Sequence, residues 1–255
     1  MLLTFDTSLA VRYTSASQKM RVLTEDWVER MIFCPNCGQD HLVNYENNRP
    51  VADFYCQNCQ EDFELKSKNG KIDKKIVDGA YEKMIERLQS DSNPNFFLLS
   101  YTPDYYVRNF MIIPKQFFTT SIIERRKPLA ETARRAGWIG CNILLSSIPD
   151  SGKIYLVRDG VVIPRSEVLT KWRKTLFLRE ENKMSARGWM LDIIRCIERV
   201  DRVDFTLDDM YAFESELAAV HPENNHIKDK IRQQLQILRD KGYIDFVSRG
   251  HYRLI

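Results

Sequence analysis

Asp53-Phe54-Tyr55-Cys56-Gln57-Asn58-Cys59-Gln60-Glu61-Asp62-Phe63-Glu64-Leu65-Lys66 is the stretch on which the fold turns. Its Cys56-Gln57-Asn58-Cys59 pair answers an earlier one, Cys34-Pro35-Asn36-Cys37, with 18 residues between them. Each Cys-x-x-Cys turn aims two thiolates at one point, and two such turns complete the tetrahedron that Zn²⁺ takes. Gly38, directly after the first pair, suits the tight turn such a knuckle needs. Disulfides are the competing reading, and the lack of an export signal argues against them. Four thiolates leave no open position for water, so the ion is expected to be structural. Cys141 and Cys196 have no such spacing and read as packed core residues.

Two short strands flank the second knuckle. Arg49-Pro50-Val51-Ala52-Asp53-Phe54-Tyr55 runs in and Asp62-Phe63-Glu64-Leu65-Lys66-Ser67-Lys68 runs out. On the outgoing strand Phe63 and Leu65 share one face while Glu64 and Lys66 share the other, because side chains alternate along a strand. A hairpin closed by the knuckles brings that pair back towards Asp53. Two carboxylates and a lysine on one face suit phosphodiester hydrolysis. The carboxylates hold Mg²⁺, which stabilises the phosphate and acidifies a bound water, and the lysine orients or activates that water.

The rest of the chain limits the alternatives. With 255 residues it folds as one large domain or two modest ones, burying roughly 70–75% of its unfolded surface. A composition 44% hydrophobic and 29% charged is that of a globular protein, and no apolar run is long enough to span a membrane. Met1-Leu2-Leu3-Thr4-Phe5-Asp6 has no basic start, so a cytoplasmic protein is expected. Helices are predicted over 18–31, with Met20, Leu23, Trp27 and Met31 as apolar stripe, and over 78–91, with Tyr81, Ile85 and Leu88. Strands are predicted over 96–102 and 107–113.

Asp53-(x10)-Glu64-Leu65-Lys66 resembles the PD-(D/E)xK nuclease motif, and helix, strand pair, helix, two strands is the order of that core. Longer blocks carry a closer resemblance: Leu23-Thr24-Glu25-Asp26-Trp27-Val28, the knuckles, Glu46-Asn47-Asn48-Arg49-Pro50-Val51-Ala52-Asp53-Phe54, Arg134-Arg135-Ala136-Gly137-Trp138-Ile139-Gly140 and Ile231-Arg232-Gln233-Gln234-Leu235-Gln236-Ile237-Leu238. With these the sequence resembles the DpnI family of methyl-directed type II restriction endonucleases. The resemblance implies an α/β, PD-(D/E)xK restriction-endonuclease-like mixed sheet with a four-cysteine zinc-binding insertion over 1–183, then a small winged-helix domain over 184–255. It further implies cleavage of double-stranded DNA at GATC carrying N6-methyladenine, by a chain expected to be monomeric in solution.

The C-terminal segment reads as a winged helix in its own right. Trp189, Ile193 and Ile197 mark a helix over 189–200. Thr206-Leu207-Asp208-Asp209 caps a second, bearing Met210, Phe213 and Leu217, and Ile227, Ile231, Leu235 and Leu238 mark a third over 226–241, closed by Gly242. Residues 243–246 and 251–254 form a hairpin around Val247-Ser248-Arg249-Gly250. Net charge is only +3 over the chain, but residues 184–225 have four basic against nine acidic residues and 226–255 have seven against three. The basic third helix is therefore expected in the major groove, with Asn225, His226, Asp229, Arg232, Gln233 and Gln236 available to bases and Lys228, Arg249 and Arg253 to phosphates. The bland reading leaves these side chains merely solvated.

Arg134 and Arg135 are expected to grip phosphates, and Trp138 to offer an aromatic face to the methyl group, which makes no hydrogen bond. A buried core role is the alternative for Trp138. Two other functions compete. A non-catalytic zinc and winged-helix regulator needs the knuckles and basic helix but not Asp53, Glu64 and Lys66. An HNH-type nuclease needs a catalytic histidine with metal-ligating partners, yet His41 stands alone near the knuckles, far in sequence from His221, His226 and His251.

Overall fold

The computed structural model describes residues 1–46, 52–90, 93–181 and 183–255. The chain forms two compact units, one of Met1–Ser146 with Ser151–Leu176, the other of Ser147–Asp150 with Phe177–Ile255. The first contains α1 (Ala16–Met31), β1 (Val43–Asn44), β2 (Phe54–Tyr55), β3 (Asp62–Asn69), β4 (Lys75–Ala80), α2 (Tyr81–Gln89), β5 (Asn95–Tyr101), β6 (Val107–Ile113), β7 (Ile123–Arg125), β8 (Gly140–Leu144), β9 (Ile154–Arg158), β10 (Val161–Val162) and α3 (Arg165–Arg173). The second contains α4 (Met184–Val200), β11 (Asp204–Thr206), α5 (Leu207–Tyr211), α6 (Glu214–Val220), α7 (Ile227–Asp240), β12 (Ile244–Ser248) and β13 (His251–Leu254). The incoming strand begins at Phe54; Arg49, Pro50 and Val51 lie outside the described residues.

The first unit is organised by a mixed sheet in the order β1-β2-β3-β5-β6-β9-β10. At its centre β5 is buried along its whole length, as expected of a continuous apolar strand covered on both faces. β3 runs parallel to β5 with Glu64 opposite Phe96 and Lys66 opposite Leu98, whereas every other pairing in this sheet is antiparallel. Alternation then sorts the side chains. Phe63 stacks on Phe97 at 4.8 Å and Phe97 meets Phe110 at 4.9 Å, on the face that α1 covers with Trp27, 5.3 Å from Phe110. Glu64 and Lys66 therefore point away from α1, to the face of Phe96. A second sheet, β4-β8-β7, is wholly antiparallel.

One expectation needs correction here. The helix predicted over 78–91 begins only at Tyr81, and Asp78 belongs to strand β4, paired with Cys141 of β8. β-Branched Ile76 and Val77 favour extended backbone, and the partner strand lies some sixty residues on in sequence, so no local apolar stripe announces it.

In the second unit the helix-turn-helix is α4, α5, α6 and α7 with a small sheet, β11-β13-β12. Its core joins Ile193, Ile197, Met210, Leu217, Ile231, Leu235 and Leu238, all buried. The capping box forms: Asp209 N donates to Thr206 Oγ1 at 3.1 Å, and Thr206 N donates to Asp209 Oδ2 at 2.7 Å. The single second helix is in fact two, α5 and α6, and the hairpin gains a third strand, β11, on β13. Gly242 ends α7 with φ of 71°, the left-handed conformation that glycine adopts without strain.

Candidate active site and metal centre

The two knuckles are built alike. Cys34 O accepts from Gly38 N at 2.8 Å and Cys34 N donates to Gln39 O at 2.7 Å; Cys56 O accepts from Gln60 N and Cys56 N donates to Glu61 O, both at 2.9 Å. This shared pattern converges the four thiols so that their Sγ atoms lie within 4.8 Å of one another, with Cys34 to Cys59 and Cys37 to Cys56 at 3.5 Å. Disulfide sulfurs would stand about 2.05 Å apart, whereas thiolates tetrahedral about Zn²⁺ at ~2.3 Å stand roughly 3.8 Å apart. The cluster fits a metal ion such as zinc. Burial works against the Cys37 thiolate, but hydrogen bonds from the Asn58 side chain and the Gln39 backbone bring its pKa down to about 7. Cys141, by contrast, is buried with its thiol on the Gly79 carbonyl, and burial pushes its pKa up to about 11.

The knuckles differ at one position. Gly38 has φ of 79° and its counterpart Gln60 has φ of 58°, a conformation that costs a non-glycine residue about 1–2 kcal/mol. Part of that is offset by glycine's greater freedom when unfolded. Gln60→Gly is therefore expected to stabilise the metal-loaded protein by up to about 1 kcal/mol, read from its denaturant midpoint.

Beside the second knuckle, Asp53 precedes β2 and Glu64 and Lys66 lie on the neighbouring β3. Leu65 N donates to Asp53 Oδ2 at 2.7 Å, which fixes the Asp53 carboxylate against the residue between Glu64 and Lys66. Lys66 Nζ stands 2.5 Å from Glu64 Oε1 and 2.7 Å from Asp78 Oδ1. Arg87 Nη1 lies 2.9 Å from Glu64 Oε2, and this buried oxygen has no hydrogen-bond partner among the described residues. Glu64 and Asp53 are hard oxygen donors of the kind Mg²⁺ takes, but the charged neighbours of Asp53 are Arg21 and Glu25 on α1, whereas those of Glu64 are Lys66 and Arg87 on the other face.

Burial disfavours the Lys66 charge, but Glu64 and Asp78 more than offset it and hold the pKa above the ordinary lysine value. Lys66 is thus a cation through the neutral range, suited to orienting an anion or a water. The stability its ion pairs contribute is present below the unfolded-state pKa and is lost as pH rises through the folded-state value. On the α1 side of Asp53, burial raises the pKa of Glu25, with Arg21 opposing and the charge of Asp53 adding. Sequence reasoning assigned no role to Glu25, Asp78 or Arg87. Glu25 stands within the Leu23-Thr24-Glu25-Asp26-Trp27-Val28 block, but for Asp78 and Arg87 no short motif exists.

Arg134, Arg135 and Trp138 lie on the hairpin connection between β7 and β8. Both arginines are exposed and Trp138 is half-buried rather than a core residue. A Cβ at Gly140 would come within 2.8 Å of the Trp138 ring, and Arg135 Cζ stands 4.7 Å from the ring centroid. The indole is seated on backbone and faced by a guanidinium.

In the second unit Asn225, His226, Lys228, Asp229, Arg232, Gln233, Gln236, Arg249 and Arg253 are all exposed, on or near the start of α7 and on the β12–β13 hairpin. Three cations among them have partners: Arg232 meets Asp229 and, at 2.7 Å, the Tyr211 hydroxyl; Lys228 is 3.4 Å from Glu214; Arg253 is 2.7 Å from Asp204. Trp189 and Ile227 are buried, in keeping with core packing.

The chain thus combines a mixed-sheet α/β unit bearing a four-cysteine cluster with a unit of helix-turn-helix type. The model of the Dam-replacing family, DpnI, matches residues 1–181, and that of the Dam-replacing HTH domain matches residues 185–254. The chain belongs to the DpnI family, and membership implies a methylation-dependent restriction enzyme with a helix-turn-helix domain. No helix among the described residues is long and apolar enough to cross a membrane.

Proposed function

We propose that the chain is a Mg²⁺-dependent, methyl-directed type II restriction endonuclease that hydrolyses phosphodiester bonds of double-stranded DNA at GATC carrying N6-methyladenine. The observation that carries this is the placement of Asp53 on the Leu65 amide, between Glu64 and a cationic Lys66. In this reading residues 1–183 form a PD-(D/E)xK nuclease domain and 184–255 a winged-helix DNA-binding domain. The protein is cytoplasmic and monomeric in solution.

Mg²⁺ supplies charge to the scissile phosphate and lowers the pKa of water. Asp53 and Glu64 are the residues that hold it. Lys66 orients the attacking water and presents positive charge to the phosphate; being charged, it does not act as the general base in the resting arrangement. Cys34, Cys37, Cys56 and Cys59 bind a structural Zn²⁺ that fixes the strands bearing Asp53 and Glu64. Arg134, Arg135, Lys228, Arg249 and Arg253 contact phosphates, Trp138 meets the methyl group, and Asn225, His226, Asp229, Arg232, Gln233 and Gln236 face the bases. Incubation with plasmid prepared with and without N6-methyladenine tests the assignment: only methylated plasmid is cut, and only with Mg²⁺.

Methyl reading is shared between the domains on energetic grounds. One apolar methyl contact supplies on the order of 1 kcal/mol, roughly five- to tenfold, so stringent discrimination needs several. Isolated segment 184–255 is expected to prefer methylated over unmethylated GATC duplex at one fixed salt concentration. Trp138→Ala in the full chain is expected to lower the preference about five- to tenfold. Equal affinity of the segment for both duplexes would reduce it to an anchor.

A further inference from the structure

Glu64, Lys66, Asp78 and Arg87 form a closed ring of two anions and two cations on the face of β3 remote from α1. Lys66 bridges Glu64 Oε1 and Asp78 Oδ1 at 2.5 and 2.7 Å, and Arg87 spans Glu64 Oε2 and Asp78 Oδ2 at 2.9 and 3.9 Å. The Asp78 side chain is only 6% exposed, and its strand is fixed by pairing with β8. The Arg87 guanidinium lies 5.4 Å from the Phe96 ring centroid, and its Nε is buried without a hydrogen-bond partner among the described residues. Both oxygens of Glu64 thus face cations that compete with a metal ion for the same carboxylate.

Resting on the reading of Glu64 as a Mg²⁺ ligand, we propose that Asp78 and Arg87 are positioning residues that set the metal affinity of the site through Glu64. When Glu64 turns to a divalent cation, Lys66 and Arg87 lose half their counter-charge. Asp78 is the anion that retains them. Without it both cations lean on Glu64 and oppose the metal, whereas without Arg87 one competitor is gone. Charges a few ångströms apart in a half-buried site interact strongly enough for each change to be read as a shift in affinity.

The test is Mn²⁺ binding to the zinc-loaded full chain, followed by electron paramagnetic resonance of the free ion, beside the Mg²⁺ dependence of cleavage. Asp78→Asn should weaken Mn²⁺ binding about tenfold or more, and Arg87→Gln should tighten it several-fold. The double variant, with charge balance restored, should return to within about threefold of wild type. Unchanged affinity in Asp78→Asn overturns the proposal, as does a double variant as weak as Asp78→Asn, which would make Asp78 a ligand. Arg87→Gln binding no tighter than wild type overturns it even if Asp78→Asn does not fold. Glu64→Gln with wild-type affinity overturns instead the underlying assignment of Glu64.

Discussion

Asp53→Ala should abolish cleavage by several orders of magnitude while leaving affinity for methylated duplex unchanged. The carboxylate is one of two that the proposed mechanism gives to Mg²⁺, and a site with one carboxylate neither holds the ion firmly nor fixes the water it acidifies. The alanine variant also strips the Leu65 amide of its acceptor at 2.7 Å, at a cost to stability of about 1–3 kcal/mol. Asp53→Asn separates the two effects. Its amide oxygen still accepts from Leu65, so folding is kept, yet the anionic ligand is lost and cleavage should fall as far. Single-turnover cleavage beside Mg²⁺-free binding isotherms reads both, and an Asp53→Asn enzyme cutting near the wild-type rate would remove the nuclease assignment from this site.

Loss of the knuckle metal should be the most damaging change to the fold. Structural zinc contributes roughly 10–16 kcal/mol in small zinc-binding peptides, comparable with or larger than the whole stability of a domain. Here the ion would join Cys34 and Cys37, which follow α1, to Cys56 and Cys59, which link β2 to β3. Without it the register of Asp53 against Glu64 rests on the short β2–β3 pairing, the bond from Asp53 N to Phe63 O and that from Leu65 N to Asp53 Oδ2. Cys56→Ser should therefore lower soluble yield and release metal, while Cys141→Ser leaves metal content unchanged. Active wild-type protein without zinc by elemental analysis would refute this.

Much of this arrangement could be read from the chain. The cysteine spacing pointed to the knuckles, two-residue alternation separated Phe63 and Leu65 from Glu64 and Lys66, and the Thr206-Leu207-Asp208-Asp209 cap formed as its letters suggested. What escaped depends on distant pairing. Asp78 was assigned to a helix because Tyr81, Ile85 and Leu88 extend backwards in helical spacing, while its true partner is Cys141 on β8. β11 has three residues and gains its strand conformation from β13, nearly fifty residues later, so no periodicity could reveal it. Arg87 has no place in the apolar stripe of its helix, and its contact with Glu64 appears only once β3 is laid beside it. The ion ring was thus legible only in part: Glu64 and Lys66 share β3, whereas Asp78 on β4 and Arg87 on α2 join them only through tertiary packing.

Single-turnover cleavage of two duplexes that differ only in the two adenine methyl groups of one GATC tests the central claim most directly, with the full chain at fixed salt and with Mg²⁺ present or omitted. Both strands of the methylated duplex should be cut within the site when Mg²⁺ is present, with no product from the unmethylated duplex or without Mg²⁺. Equal cutting of the two duplexes, or cutting that persists without Mg²⁺, would contradict it.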